Sequence, residues 1–224
     1  MFRNLTASFT YIIKFIVRGI ITFLNKGADM LQKAFFKVDV VDRIYDTPVF
    51  EKTTPGAYEF TIPDGYNYVV IEYAGAGGGS SSASGGRGSI MKINKSTIGT
   101  RYISGIVGAA GLDAQATLTN TAGAGYANGE SGSQHTPGPL KLTNPGGGGS
   151  TSLQFNRIVY EASAGGGACS TQGFGGRGGG KYAGSRQTTA FAQGNNATDP
   201  GSIGLNPGNG YVKIWAGYDP YFKG

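Results

Sequence analysis

Thirty-six of the chain's 41 glycines lie between Gly75 and Gly217, so one residue in four of that stretch carries no side chain. A segment of this kind buries little apolar surface per residue while losing a great deal of backbone freedom on ordering. It either stays unfolded or packs backbone against backbone. Several glycines keep a local spacing of three: Gly105, Gly108 and Gly111; Gly129 and Gly132; Gly173, Gly176 and Gly179; Gly201 and Gly204. Three residues per turn is the polyproline-II period, and glycine lets such helices touch along their axes. Their backbones can then exchange N–H···O and Cα–H···O bonds. Flexible linkers rarely carry Tyr, Phe, Ile and Val at every glycine cluster, as this chain does. The spacing is not kept throughout, which excludes a collagen triple helix.

With 13 Tyr, 12 Phe and 14% charged residues, the 224-residue chain is too aromatic and too weakly charged for ordinary disorder. One cysteine and one histidine exclude a disulfide framework, a Cys/His zinc site and an iron–sulfur cluster. The net charge of +6 is concentrated in residues 1–37, where six cations face Asp29 alone. The remaining 187 residues sum to +1, so the basic balance belongs to one short segment and nucleic acid is not an expected partner.

Residues 1–37 read as an amphipathic α-helical segment for anchoring or oligomerisation. Leu5, Phe9, Ile12, Ile16 and Phe23 fall on one stripe at helical spacing, and Ile13, Val17, Ile20, Leu24 and Leu31 on an adjoining one. Lys14 and Arg18 interrupt the apolar run 9–24, which is also shorter than the roughly 20 residues of a membrane span. No small-residue cleavage site follows it, so a secretory signal is not expected. A broad apolar face wants cover, from sister subunits, another protein or a membrane interface.

Residues 38–57 read as a connector, 58–217 as the glycine-rich β/polyproline-II domain and 218–224 as a tail. Tyr58, Phe60 and Ile62 alternate with polar residues, Pro63-Asp64-Gly65 turns the chain, and Tyr68–Tyr73 returns as a second strand. Strand character recurs in Ser89–Ile93, Tyr102–Val107, Ser152–Tyr160 and Gly210–Gly217. The fold class expected is mainly β with polyglycine-II-like segments and one N-terminal helix.

The run Tyr58-Glu-Phe-Thr-Ile-Pro-Asp-Gly, followed by Val69-Val-Ile-Glu-Tyr-Ala-Gly-Ala-Gly-Gly-Gly79, resembles the opening of the glycine-rich domain of bacteriophage tail fibres and related virion appendages. Gly105-Ile-Val-Gly-Ala-Ala-Gly, Glu161-Ala-Ser-Ala-Gly-Gly-Gly and Gly208-Asn-Gly-Tyr-Val-Lys-Ile-Trp are similar to its later pieces. Phage adhesins with polyglycine-II tips are looser cousins. The resemblance covers about 50–217 and implies a virion component, often a host-recognition part. The glycine runs here are shorter and more interrupted than in those proteins, and residues 1–37 have no counterpart in them.

Motifs for chemistry are weak. Gly173-Phe-Gly-Gly-Arg-Gly178 satisfies a dinucleotide-loop pattern, but no strand precedes it and no helix follows. Gly175–Lys181 nearly makes a phosphate-binding loop, with Tyr182 where Ser or Thr would hold magnesium. Asp39, Asp42 and Asp46 suit a solvated connection as well as a calcium site. Cys169 reads as a small buried residue, and Arg87 and Arg177 as solvated side chains between glycine segments.

No enzyme, cofactor or metal is therefore expected. Candidate receptor-contact residues are Tyr126, Asn128, Gln134, His135, Lys181, Tyr182, Phe191, Asn195 and Asn196. Their aromatic faces and amides suit sugar or protein surfaces, such as a host glycan or an outer-membrane protein. The expected role is a phage structural protein, a homo-oligomer joined to other virion proteins through residues 1–37 and assembled in the host cytoplasm. Two alternatives stay open: a protein that meets a membrane through its N-terminal helix as infection begins, and a head or capsid decoration fibre with no receptor role.

Overall fold

The computed structural model describes residues 47–114, 121–134, 145–169, 173–184 and 194–222. The chain divides into two compact units, Met1–Asp46 and Thr47–Gly224. The expected helix over 1–37, with Leu5, Phe9, Ile12, Ile13, Ile16, Ile20, Phe23, Leu24 and Leu31, lies outside the described residues, as do His135 and Phe191.

The second unit is mainly β, with no helix among its described residues. Its strands are β1 (Phe50–Lys52), β2 (Gly56–Thr61), β3 (Tyr68–Ala74), β4 (Gly88–Thr97), β5 (Tyr102–Val107), β6 (Ser133–Gln134), β7 (Thr151–Phe155), β8 (Ile158–Ala162), β9 (Gly173–Phe174), β10 (Gly204–Asn206) and β11 (Tyr211–Gly217). A five-stranded antiparallel sheet runs β1-β11-β3-β4-β10, a four-stranded one β2-β5-β7-β8, and β6 and β9 form a small pair. The unit begins at Thr47, and β1 pairs with β11, so strand pairing starts inside the segment read as a connector.

The two large sheets close on one apolar core. Val69, Ile71, Tyr73, Val212, Ile214 and Ala216 come from the first, and Tyr58, Ile103, Val107, Leu153, Phe155 and Ala162 from the second. These are the alternate positions of each strand, the pattern that puts one face inward. Phe50 stacks on Phe60 at 4.8 Å and holds the sandwich closed where β1 meets β2.

Two local outcomes differ from the strand reading. The strands on either side of Pro63-Asp64-Gly65 do not pair with each other: β2 pairs with β5, and β3 with β11 and β4. Both present apolar residues to the shared core, so the turn, with Gly65 at φ 94°, is a corner between sheets. Arg101 pins it by donating to the Pro63 carbonyl at 2.6 Å and pairing with Asp64. The stretch 152–160 is two strands rather than one. Asn156 and Arg157, both at positive φ (48° and 65°), form the two-residue hairpin turn that joins β7 to β8.

The ends of six strands at Ala74, Gly88, Val107, Thr151, Ala162 and Tyr211 converge on one end of the sandwich. The glycine segments leave and return there. Their hydrogen bonds follow a rule that no sheet follows. Along 146–150, successive amides donate to Leu112, Glu130, Gly165, Ala109 and Ala127. Three neighbouring segments are served in turn, and the first two recur after three residues. Along 164–168 the acceptors are Gly179, Ala76, Asn195, Gly176 and Gly79, again three neighbours in rotation. Along 75–79 they are Ser89, Gly149, Gly208, Gly86 and Gly146. A β-strand alternates between two neighbours with period two; here the amides of each segment donate in three directions with period three.

This bundle leaves no room for side chains at most of its glycines. A Cβ on Gly146 would stand 1.9 Å from the Thr121 carbonyl oxygen, and one on Gly147 1.9 Å from that of Arg177. Ala76, Ala164 and Ala168 are fully buried in the same segments, filling the places where a methyl does fit.

Candidate functional site

The bundle's surface carries the sequence-derived candidates, and the fold sorts them into separate places. Tyr126 and Asn128 lie on a turn beside the sandwich. The Tyr126 and Ala127 amides donate to the Ser150 carbonyl and hydroxyl, and Asn128 Oδ1 accepts from the Gly125 amide at 3.0 Å. Tyr126 itself is half exposed. Lys181 and Tyr182 follow Gly180, whose φ of 108° swings the chain out of the bundle. The Tyr182 amide donates to Ser163 Oγ at 3.1 Å, and Lys181 Nζ lies 5.3 Å from the Tyr182 ring centroid.

These two turns are neighbours. A Cβ on Gly179 would stand 2.0 Å from the Ala127 carbonyl oxygen, so the 126–128 turn rests on the backbone that leads into Lys181. Asn195 lies against Gly166 and Gly184, and Asn196 against Arg87. The Asn195 carbonyl accepts from the Gly166 amide, and Asn196 Oδ1 accepts from the Arg87 amide at 3.0 Å. Gln134 sits in β6 opposite Gly173, in a two-stranded pair separate from the two large sheets. Tyr126, Asn128, Lys181 and Tyr182 are thus brought to one region, and Asn195 packs beside it against Gly184, two residues past Tyr182. Cys169 is buried and forms no disulfide.

A polar centre that sequence reasoning missed sits where bundle meets sandwich. Asp199, 6% exposed, accepts from the Ser89 hydroxyl (2.9 Å), the Ser163 amide (2.8 Å) and the Ser163 hydroxyl (2.6 Å). The Ala197-Thr-Asp-Pro200 loop that carries it reads as an ordinary turn, with no signal that its carboxylate points inward. Ser89 and Ser163 are themselves buried, so the cluster is closed to solvent and acts as a clasp between β4, β8 and the returning chain. Close by, burial pushes the Tyr73 phenol up to about 12, with smaller contributions from Asp199 and Tyr160. Burial also raises the Tyr58 phenol, and raises that of Tyr211, which donates to Glu72 Oε1 at 2.8 Å. These phenols stay neutral at physiological pH and serve as hydrogen-bond donors and packing groups.

Among the described residues no group of three His, Cys, Asp or Glu side chains is placed to hold a metal ion. Among them, too, no helix is long and apolar enough to cross a membrane. What the accessible surface offers is stacking faces and amide and ammonium groups on a stiff support. No protein-family model matches the chain, and no curated protein matches it either.

Proposed function

We propose that this chain is a non-enzymatic structural protein of a phage virion, an appendage component that holds a glycine bundle out from the particle. The observation that carries the reading is the rotation of hydrogen bonds among three neighbours along 75–79, 146–150 and 164–168. Period-three bonding between side-chain-free segments is the geometry of polyglycine-II helices, and we assign the glycine segments to that class. Such a bundle needs no apolar core of its own, so side chains at its surface remain available for contact.

The placement of the chain ends supports projection. β1 runs antiparallel to β11 with Phe50 opposite Ile214, so Thr47 stands at the end of the sandwich away from the bundle. The region around Tyr126 and Tyr182 presents two half-exposed phenol rings with Lys181 between the turns, a surface suited to sugars or polar protein faces.

Antibody raised against residues 47–224 and applied to gradient-purified particles tests the reading. Labelling of a tail fibre, tail tip, collar or head projection supports it. Particles that infect normally and contain none of this chain by mass spectrometry overturn it.

A further inference from the structure

The sandwich has four strand edges, and three of them are protected. β1 and β10 are three residues long, and β10 is followed by Pro207. β1 lies between Pro48 and Pro55 and carries Glu51, paired to Lys213 at 3.3 Å, and Lys52. β2 lies between Pro55 and Pro63 and carries Glu59. Short length, proline and charge are the usual guards against edge-to-edge pairing. β8, the outer strand of the four-stranded sheet, has five residues and no proline, and its one charged residue, Glu161, lies next to its last position. Ile158 and Val159 in it are each 53% exposed.

The hairpin register shows which backbone groups are free. A two-residue turn closes with a hydrogen-bonded pair, here Phe155 and Ile158, so Leu153 and Tyr160 form the next one. The amide and carbonyl of Val159 and of Glu161 therefore point away from β7, and neither residue's backbone bonds to another described segment. The strand is also self-complementary. Set antiparallel to a copy of itself about Val159, it places Val159 opposite Val159, Ile158 opposite Tyr160, and Arg157 opposite Glu161 on both sides of the axis. The free groups of Val159 then meet as a hydrogen-bonded pair. Arg157 is exposed and Glu161 half-buried, so opposite charges face each other across the axis.

We propose that β8 is a docking edge for a second copy of this chain, joined two-fold about Val159, with Arg157 of each copy facing Glu161 of the other. The proposal does not depend on a virion role. A five-residue edge buries less than the roughly 1,200–2,000 Å² of a stable interface. The contact is therefore weak and best detected by trapping.

The test is oxidative disulfide trapping in the full chain, whose single native cysteine is buried. Paired Val159 Cα atoms would stand about 5.5 Å apart, within disulfide reach. Copies of Gln154, one strand further in on the same face, would stand about 15 Å apart, beyond it. Val159→Cys should give a covalent dimer with an unchanged thermal transition, and Gln154→Cys none. Adding Arg157→Glu should slow trapping several-fold, and adding Glu161→Arg to that variant should restore it. Trapping of Val159→Cys no faster than that of Gln154→Cys overturns the proposal. So does a trapping rate indifferent to the charge reversals.

Discussion

Gly147 donates to the Glu130 carbonyl and accepts from the Gly123 amide, with the Arg177 carbonyl oxygen 1.9 Å from where a Cβ would sit. That oxygen belongs to backbone, so no rotamer change relieves the clash. Gly147→Ala should destabilise the unit by about 3 kcal/mol, at the upper end of overpacking effects. Gly208 has nothing within 4 Å of a built Cβ and no positive φ, so Gly208→Ala should stay within about 0.5 kcal/mol of the parent. Urea unfolding of the two variants checks this, and equal effects would remove the packing role given to glycine. The glycine clusters were legible in the sequence, but the difference between Gly147 and Gly208 was not. It depends on which remote carbonyl faces the Cβ direction, and Arg177 lies 30 positions away. Asp199 was hidden for the same reason, since its partners Ser89 and Ser163 come from distant strands.

At the scale of elements, alternation, apolar runs and turn chemistry were enough to find β2, β3, β4, β5 and β11: β2 and β11 alternate, and β3 is an apolar run buried on both faces. The β7–β8 hairpin was not legible. Its turn is Asn156-Arg157, without the glycine that usually marks two positive φ values, and the apolar residues continue across it. Asn156 is anchored by tertiary bonds instead: its Oδ1 accepts from the Gly99 and Thr100 amides, and its Nδ2 donates to the Thr97 carbonyl. The tail 218–222 is likewise held by contacts that no local pattern announces. β4 has one residue more than β3 between Val69 and Ile71, a bulge that includes Lys95. Lys95 Nζ pairs with Asp219 at 2.5 Å and lies 4.3 Å from the Tyr68 ring and 4.6 Å from the Phe222 ring. The hydrogen bond from Lys95 comes first among the causes that hold the Asp219 carboxyl below its ordinary value, followed by the bond from the Tyr221 amide. A group depressed on folding stabilises above its unfolded value and loses that contribution as pH falls through the folded one. The tail should therefore stay docked at neutral pH and loosen as pH drops below about 4. Faster exchange of the Tyr221 and Phe222 amides in acid, after correction for intrinsic rates, would register it. Asp219→Asn should show the same loosening at pH 7, and a tail indifferent to both changes would dissociate its docking from this carboxylate.

Across the whole unit, the sandwich and the glycine bundle share their boundaries. Six strand ends feed the bundle directly, and the Ser89–Asp199–Ser163 clasp ties two sheets and a glycine segment at that junction. The glycine spacing of three was read at 105–111, 129–132, 173–179 and 201–204, whereas the bonds rotate along 75–79, 146–150 and 164–168. Neither these segments nor the arrangement of their neighbours was legible. Segment 145–150 bonds to 109–112, 127–130 and 165, which are joined only by long stretches of chain. The amides of each segment donate to three others, and its carbonyls accept from further ones, such as the amides of Ala76, Gly79, Gly176 and Gly179 on 145–149. None can therefore open alone without breaking bonds in its neighbours. Amides within 146–150 and 164–168 should then exchange through the same global opening as core amides such as those of Ile71 and Ile214, with one cooperative thermal transition for the unit. Gly147→Ala, though remote from the apolar core, should lower the protection of both sets together. Hydrogen exchange resolved by residue decides the matter. Uniformly fast exchange across the bundle, with strand protection intact, would separate the two parts and undo the reading of glycine as a packing residue.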